Sequence, residues 1–199
     1  MGRRPKFTAE QVLDAAADIV ASAGPGAATV ATISERLGAT SGSIYHRFAS
    51  RDLILAHLWI RTVRRAQDGF LNVLSGGSID AAVQAALHVP RWSRDHLPQA
   101  RILVLYRRED LAARWPDELG AELAQLNDGL LGALCDFTHR RYGQVTGEGL
   151  EAVTFALIDV PYAAVRRHLI AGTAPPRMVD DLVQRVVAEV LANDGTREY

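Results

Sequence analysis

The stretch Thr29-Val-Ala-Thr-Ile-Ser-Glu-Arg-Leu-Gly38-Ala-Thr-Ser-Gly-Ser-Ile-Tyr45-His-Arg-Phe48-Ala-Ser50-Arg-Asp-Leu53 decides the fold. Thr29 has a side-chain oxygen suited to the free amides of a helix start, which predicts a short helix over Val30–Leu37 with Ile33 and Leu37 on one face. Gly38 tolerates the left-handed backbone that a tight helix–helix turn requires. Thr40 caps a second short helix running to about Phe48, and Ser50 caps a long one from Arg51 to about Leu74. The second helix has about two turns, too few to be stable alone, so packing through Ile44 and Phe48 must hold it. Ser41, Ser43, His46 and Arg47 are left on its outward side.

Outward from this core, every segment reads as helix. Thr8 and Gln11 form a capping box ahead of Val12, Leu13, Ala16, Ile19 and Val20, and Gly24-Pro25-Gly26 ends that helix. Downstream, Ser75-Gly-Gly-Ser78 is a joint, and Asp80 to about Arg94 is a helix with an expected kink at Pro90. Ile102–Tyr106 is apolar on all sides, which predicts a central helix buried all round. Pro116 starts a helix with Leu119, Leu123, Leu126, Leu130, Leu134 and Phe137 in one stripe. Glu148 to about Ile170 forms the next helix. The last carries Val179, Leu182, Val183, Val186, Val187, Val190 and Leu191, followed by a polar tail, Asn193–Tyr199. With no period-2 segment to supply a strand, the fold class is all-α.

The net charge of −1 hides an asymmetry. Residues 1–65 carry nine basic and five acidic side chains, a net of +4, so the other 134 residues carry −5. A basic head on an acidic body points to nucleic acid at that end. Cys135 is the single cysteine, so no internal disulfide framework exists and a reducing compartment is expected. No run approaches the ~20 apolar residues that span a bilayer. The arginines at 3 and 4 are followed by an amphipathic, acidic segment and not by an apolar signal core. A cytoplasmic protein without a membrane partner is the expectation.

Two short helices joined by Gly38-Ala39-Thr40 form a helix-turn-helix, whose second helix enters a DNA major groove. The quoted run, with its Gly-x-Ser/Thr…Tyr-x-x-Phe-x-Ser spacing, resembles the N-terminal DNA-binding domain of the tetracycline-repressor (TetR) family over roughly residues 8–58. The resemblance implies that Thr29 and Tyr45 touch phosphate, that Ser41 and Ser43 face base edges, and that Thr40, His46, Arg47 and Arg51 share in the contact. Arg47 stands where the family usually has histidine, and Arg51 where it usually has lysine; both keep a donor for phosphate. Arg3, Arg4 and Lys6 suit an arm following the minor groove. Arg61, Arg64 and Arg65 read as a solvated or inter-domain cluster on the long helix in preference to DNA contacts.

The resemblance further implies an N-terminal three-helix domain, residues 1–54, and a C-terminal helical ligand-binding and dimerisation domain, residues 55–199. The apolar breadth of the last two helices suits a homodimer built as a four-helix bundle, the alternative being an internal core. Trp59, Phe70, Trp92, Tyr106, Trp115, Phe155 and Tyr162 are candidates for an apolar cavity, or plain core. Asp159, in an apolar segment just before Pro161, needs either an arginine or a ligand amine as partner. The histidines lack metal-ligand spacing and no cofactor or catalytic motif is present, so neither metal, cofactor nor enzyme activity is expected. The expected function is a ligand-responsive regulator binding a double-stranded DNA operator as a homodimer, most simply a repressor released by a small-molecule effector. The alternatives are an all-helical small-molecule-binding protein without operator function, or a small helical enzyme.

Overall fold

The computed structural model describes residues 7–74 and 76–192. Among these residues there are twelve α-helices and no strand: α1 Ala9–Ala23, α2 Val30–Leu37, α3 Ser41–Tyr45, α4 Arg51–Val73, α5 Ile79–Asp95, α6 Leu97–Ala100, α7 Arg108–Arg114, α8 Pro116–Gln125, α9 Asp128–Tyr142, α10 Gly147–Thr154, α11 Val160–Ile170 and α12 Met178–Ala192.

The start signals form as their chemistry requires. Thr8 and Gln11 make a reciprocal capping box, and Thr29 does the same with Thr32. Thr40 and Ser50 cap α3 and α4 through their hydroxyls. Gly38 ends α2 at φ 58°, a left-handed conformation that any Cβ would strain.

Two apolar clusters organise the molecule. The first gathers α1–α3 and the N-terminal half of α4, and it continues into the body through Ile102, Leu111, Leu119, Leu123 and Leu126. Leu53–Ala56 and Leu58–Ile60 are all buried, because this half of α4 is wedged between the small N-terminal helices and the body. The second cluster has α5 at its centre, with α4, α11 and α12 packed around it. The 54/55 division therefore falls inside one continuous helix.

Several expected helices are rearranged. Ile102–Tyr106 is not a central helix buried all round: residues 101–104 form a 3₁₀ turn in which Ile102 is buried while Leu103 to Tyr106 are half-exposed. The reason is that Ile102, Leu105 and Tyr106 pack with the first cluster and Val104 with a smaller one around Ala100, Val165 and Leu169, while Leu103 and Tyr106 line a cavity. The stripe after Pro116 is divided between α8 and α9 at Leu126–Asn127, although Leu119, Leu123, Leu126, Leu134 and Phe137 are all buried. The segment from 147 to 170 is interrupted by a π turn at Phe155–Asp159. Pro161 has no amide to give the Leu157 carbonyl, and the wider turn accommodates the missing donor. Pro90 is carried within the single helix α5, and α3 stops at Tyr45, short of Phe48. No helix of the described residues is long and apolar enough to cross a membrane.

Candidate nucleic-acid interface and interior cavity

The exposed side of α3 is built by its neighbours. Ile44 and Phe48 are buried against the N-terminal core, which turns Ser41, Tyr45 and His46 to solvent; Tyr45 is 55% exposed. The hydroxyls on this surface have defined roles. Ser34 Oγ donates to the Val30 carbonyl at 2.7 Å, so at its 3.3 Å contact with Ser41 Oγ it accepts, and Ser41 donates. Ser43 Oγ donates to the Thr40 carbonyl at 2.7 Å, leaving its lone pairs to meet a base edge as acceptor only. The Thr40 hydroxyl receives the Ser43 amide, and the Thr29 hydroxyl receives that of Thr32. Arg47 Nη1 donates to the Ser43 carbonyl at 3.0 Å, which ties the arginine back along its own helix.

Arg51 is placed differently from the expected phosphate contact. Its Nε donates to the Ala28 carbonyl at 2.9 Å, its Nη2 to the Pro25 carbonyl, and its Nη1 lies 3.1 Å from Asp52 Oδ1. The guanidinium thus clamps the link between α1 and α2. The turn at Pro25–Ala27 leaves carbonyls pointing at the start of α4, and Arg51 is the donor within reach. Arg3, Arg4 and Lys6 lie outside the described residues.

Arg61 and Arg64 join elements of the protein itself. Arg61 Nη1 is 2.8 Å from both Glu10 and Asp14 of α1, and Arg64 is 2.7 Å from Glu122 of α8. Arg114 of α7 reaches Asp52 at the start of α4, at 2.8 Å. These bridges are exposed on at least one side, so each adds at most about 1 kcal/mol. Their value is positional: they connect the N-terminal helices to the body.

Within the body lies a cavity of about 390 Å³, walled by α4, α5, α9, α11 and the 101–109 segment. Of the expected aromatic residues, Trp59, Phe70, Trp92, Tyr106 and Tyr162 line it. Three expected residues do not. Phe155 is 48% exposed, and Asp159 is exposed on the same outer face of the π turn. A spacing of four residues puts Phe155 and Asp159 on one side of the chain, while Ala156 and Leu157 are buried and Ile158 is half-buried beside the cavity. The carboxylate keeps its hydration by facing outward and needs neither an arginine nor a ligand amine. Trp115 packs instead against the N-terminal cluster, with Arg114 stacked on its ring.

The polar groups of the cavity were not legible in the sequence. Gln67 Nε2 donates to Asn127 Oδ1 at 2.9 Å, and Trp59 Nε1 to the Leu103 carbonyl at 3.1 Å. His88 lies against Gly69 so closely that a Cβ there would sit 2.3 Å from its Cε1. Burial pushes the His88 imidazole pKa down, more than its hydrogen bond to the Ala66 carbonyl raises it, so the ring is neutral near pH 7. His88 Nε2 and the Ser93 hydroxyl, both buried, have no hydrogen-bond partner among the described residues. The available signal was Trp92: His88 is one turn before it, on the same side of α5. Tyr106 joins the two regions. Burial raises its hydroxyl pKa, Asp52 raises it further, and Arg51 and Arg114 oppose the rise. A residue lining the cavity therefore feels the charges that hold the start of α4.

Comparison with known proteins agrees with this geometry. Residues 12–58 match the model of the bacterial regulatory proteins of the tetR family. No curated protein matches the chain. Among solved structures, a transcriptional regulator from Rhodococcus sp. Rha1 is 17% identical, over 94% of this chain and 97% of its own, with a TM-score of 0.65. The fatty acid degradation regulator FadR from Bacillus halodurans is 17% identical, over 94% and 99%, with a TM-score of 0.63. The ketosteroid transcriptional regulator KstR2 of Mycobacterium tuberculosis is 18% identical, over 96% and 97%, with a TM-score of 0.60. At these identities the likeness establishes a shared fold along nearly the whole length. The family match thus covers the helix-turn-helix domain at residues 12–58, and the likeness to transcriptional regulators of known structure extends the shared fold over nearly the whole chain.

Proposed function

We propose that the protein is a ligand-responsive DNA-binding transcriptional regulator, acting as a homodimer and released from its operator by a small molecule. The observation that carries the reading is the capped α2–α3 unit, which buries Ile44 and Phe48 and turns Ser41, Tyr45 and His46 outward. In this reading Ser41 and Ser43 meet base edges, and Thr29, Thr40, Tyr45, His46 and Arg47 serve the phosphates around them. Arg51 acts by holding the α1–α2 link in place.

Pairing is supported by α12. It buries Val179, Val183, Val187 and Leu191 inside the subunit and leaves Met178, Leu182 and Val186 between 38% and 61% exposed on another side. Phe155 and Tyr162 add exposed apolar surface in the 155–170 segment, and α11 packs against α12. A second copy covering this face would give the four-helix arrangement that sets the spacing of two reading helices.

A ligand in the cavity acts on DNA binding through Tyr106. Its ring lines the cavity and packs against the N-terminal cluster, so moving it disturbs the packing beside Arg51, which grips Pro25 and Ala28 just ahead of α2. Such a ligand must favour one arrangement of these groups over the other, or it shifts nothing. The test is fluorescence anisotropy with duplexes from the region upstream of the protein's own coding sequence. Saturable binding with a steep salt dependence is expected. Absence of binding to every duplex at low salt would leave the small-molecule-binding protein as the better reading.

A further inference from the structure

The cavity described above is mostly apolar, and its charged wall residues are gathered in one place. Arg107, Arg108 and Glu109, at the start of α7, are exposed and line its mouth. Deeper in, the wall carries no charged side chain: Gln67 and Asn127 satisfy one another, Trp59 gives its N–H to the Leu103 carbonyl, and His88 is neutral near pH 7. A charged group carried into this interior would lose its hydration with no opposite charge to meet it. The cavity therefore suits an apolar body inside, and any charge on a ligand has to stay at the mouth.

The mouth favours one sign of charge. Among the described residues neither the Arg107 nor the Arg108 side chain has an ion pair or hydrogen bond, whereas Arg64, Arg94 and Arg114 each hold a carboxylate. Glu109 pairs with neither of them, and Asp110 is not part of the wall, so two positive charges against one negative leave a net of +1. Residues 66–199 as a whole carry −5. Attraction for an anion at this mouth is thus local, working against the field of the surrounding domain. The guanidinium fork matches a carboxylate through two parallel hydrogen bonds.

We propose that the cavity takes an amphipathic monoanion, with a ring-bearing apolar body inside and one carboxylate at the mouth held by Arg107 and Arg108. The proposal rests on the cavity being the effector site. The aromatic walls, Trp59, Phe70 and Trp92 among them, suit flat rings. At the exposed mouth the carboxylate keeps part of its water, so it gains the guanidinium contacts without the cost of full burial. A cation meets two like charges there, and a neutral molecule leaves both arginines without a partner. Glu109 disfavours a second negative charge on the ligand.

The test uses a matched series on the full-length protein: 4-(biphenyl-4-yl)butanoate, the corresponding butanamide and the corresponding butylamine. Binding is read by the change in tryptophan emission, since two of the three tryptophans line the cavity. At low salt the acid is expected to bind about fivefold or more tightly than the amide, and the amine most weakly. In the double variant Arg107→Gln/Arg108→Gln the preference for the acid should fall to about twofold or less, while the affinity for the amide stays as it was. Both side chains are exposed, so the variant keeps the fold. A second readout needs no variant: in the wild-type protein the acid-to-amide preference should shrink as the salt concentration rises from about 0.01 M to about 1 M. Equal binding of acid and amide, tightest binding by the amine, or a preference that survives the double variant or high salt would each overturn the anion assignment while leaving the cavity a ligand site. If none of the three binds up to its solubility limit, the effector-site reading falls, and the proposal falls with it.

Discussion

Substituting Gly69 by alanine tests the placement of the His88 ring, on which the polar character of the cavity depends. In an exposed helix interior this change stabilises by about 1 kcal/mol, because glycine has more freedom to lose. Here the added Cβ would lie 2.3 Å from His88 Cε1 and 2.4 Å from Nε2, where ordinary contact begins near 3.4 Å. The ring must retreat by about 1.1 Å, into the cavity and off the Ala66 carbonyl. Overpacking costs about 1–3 kcal/mol, and the lost hydrogen bond about 0.5–1.5 kcal/mol. Set against the helical gain, the net is a destabilisation of about 1–3 kcal/mol. For a chain of this size that lowers Tm by about 2–4 °C per kcal/mol. The assay is urea unfolding of a double-mutant cycle: wild type, Gly69→Ala, His88→Ala and the pair together. In the His88→Ala background the clash is gone, so Gly69→Ala should stabilise, giving a coupling of about 2–4 kcal/mol. If Gly69→Ala stabilises both backgrounds equally, the ring is not where the geometry puts it and the argument fails.

Three other outcomes are expected. The folded-state pKa of His88 lies below its unfolded value near 6.5, so the unfolded chain takes up the proton first. The stability is full above pH 6.5 and declines as pH falls below it. Thermal unfolding at pH 7.5 and 5.5 should show a larger acid loss in wild type than in His88→Phe, and equal losses would contradict a buried neutral ring. Arg47→Ala should weaken binding to all duplexes and reduce the salt slope by about one, read by anisotropy across a salt series; an unchanged slope would remove Arg47 from the phosphate contacts. Leu182→Glu puts a charge on the exposed side of α12, so sedimentation should show a monomer at micromolar concentration with an unchanged helical spectrum. A dimer that persists would mean that this face is not the interface.

Capping and turn chemistry account for how much of the N-terminal domain could be read in advance. Thr8, Thr29, Thr40 and Ser50 act on amides two or three residues away, and Gly38 on its own backbone, so local sequence contains the whole cause. The body was legible only as a set of helices. Its stripes showed which side chains would be buried, as with Val179, Val183 and Val187, yet not where a helix would break. The breaks at Leu126–Asn127 and Phe155–Asp159 answer to neighbouring packing and to Pro161. Arg51 illustrates the same limit. Its sequence position matches a phosphate-binding residue, while its contacts are the carbonyls of Pro25 and Ala28, brought to it by the turn before α2.

The sequence by itself therefore determined the all-helical class, the helix-turn-helix with its capped ends, and the basic head on an acidic body, because each follows from residues near one another in the chain. Only the tertiary structure decided what the body can hold. The His88 ring meets Gly69, Gln67 meets Asn127 and Trp59 meets the Leu103 carbonyl across separations of 19, 60 and 44 residues. No local pattern records such meetings. They arise when separate helices fill a shared volume.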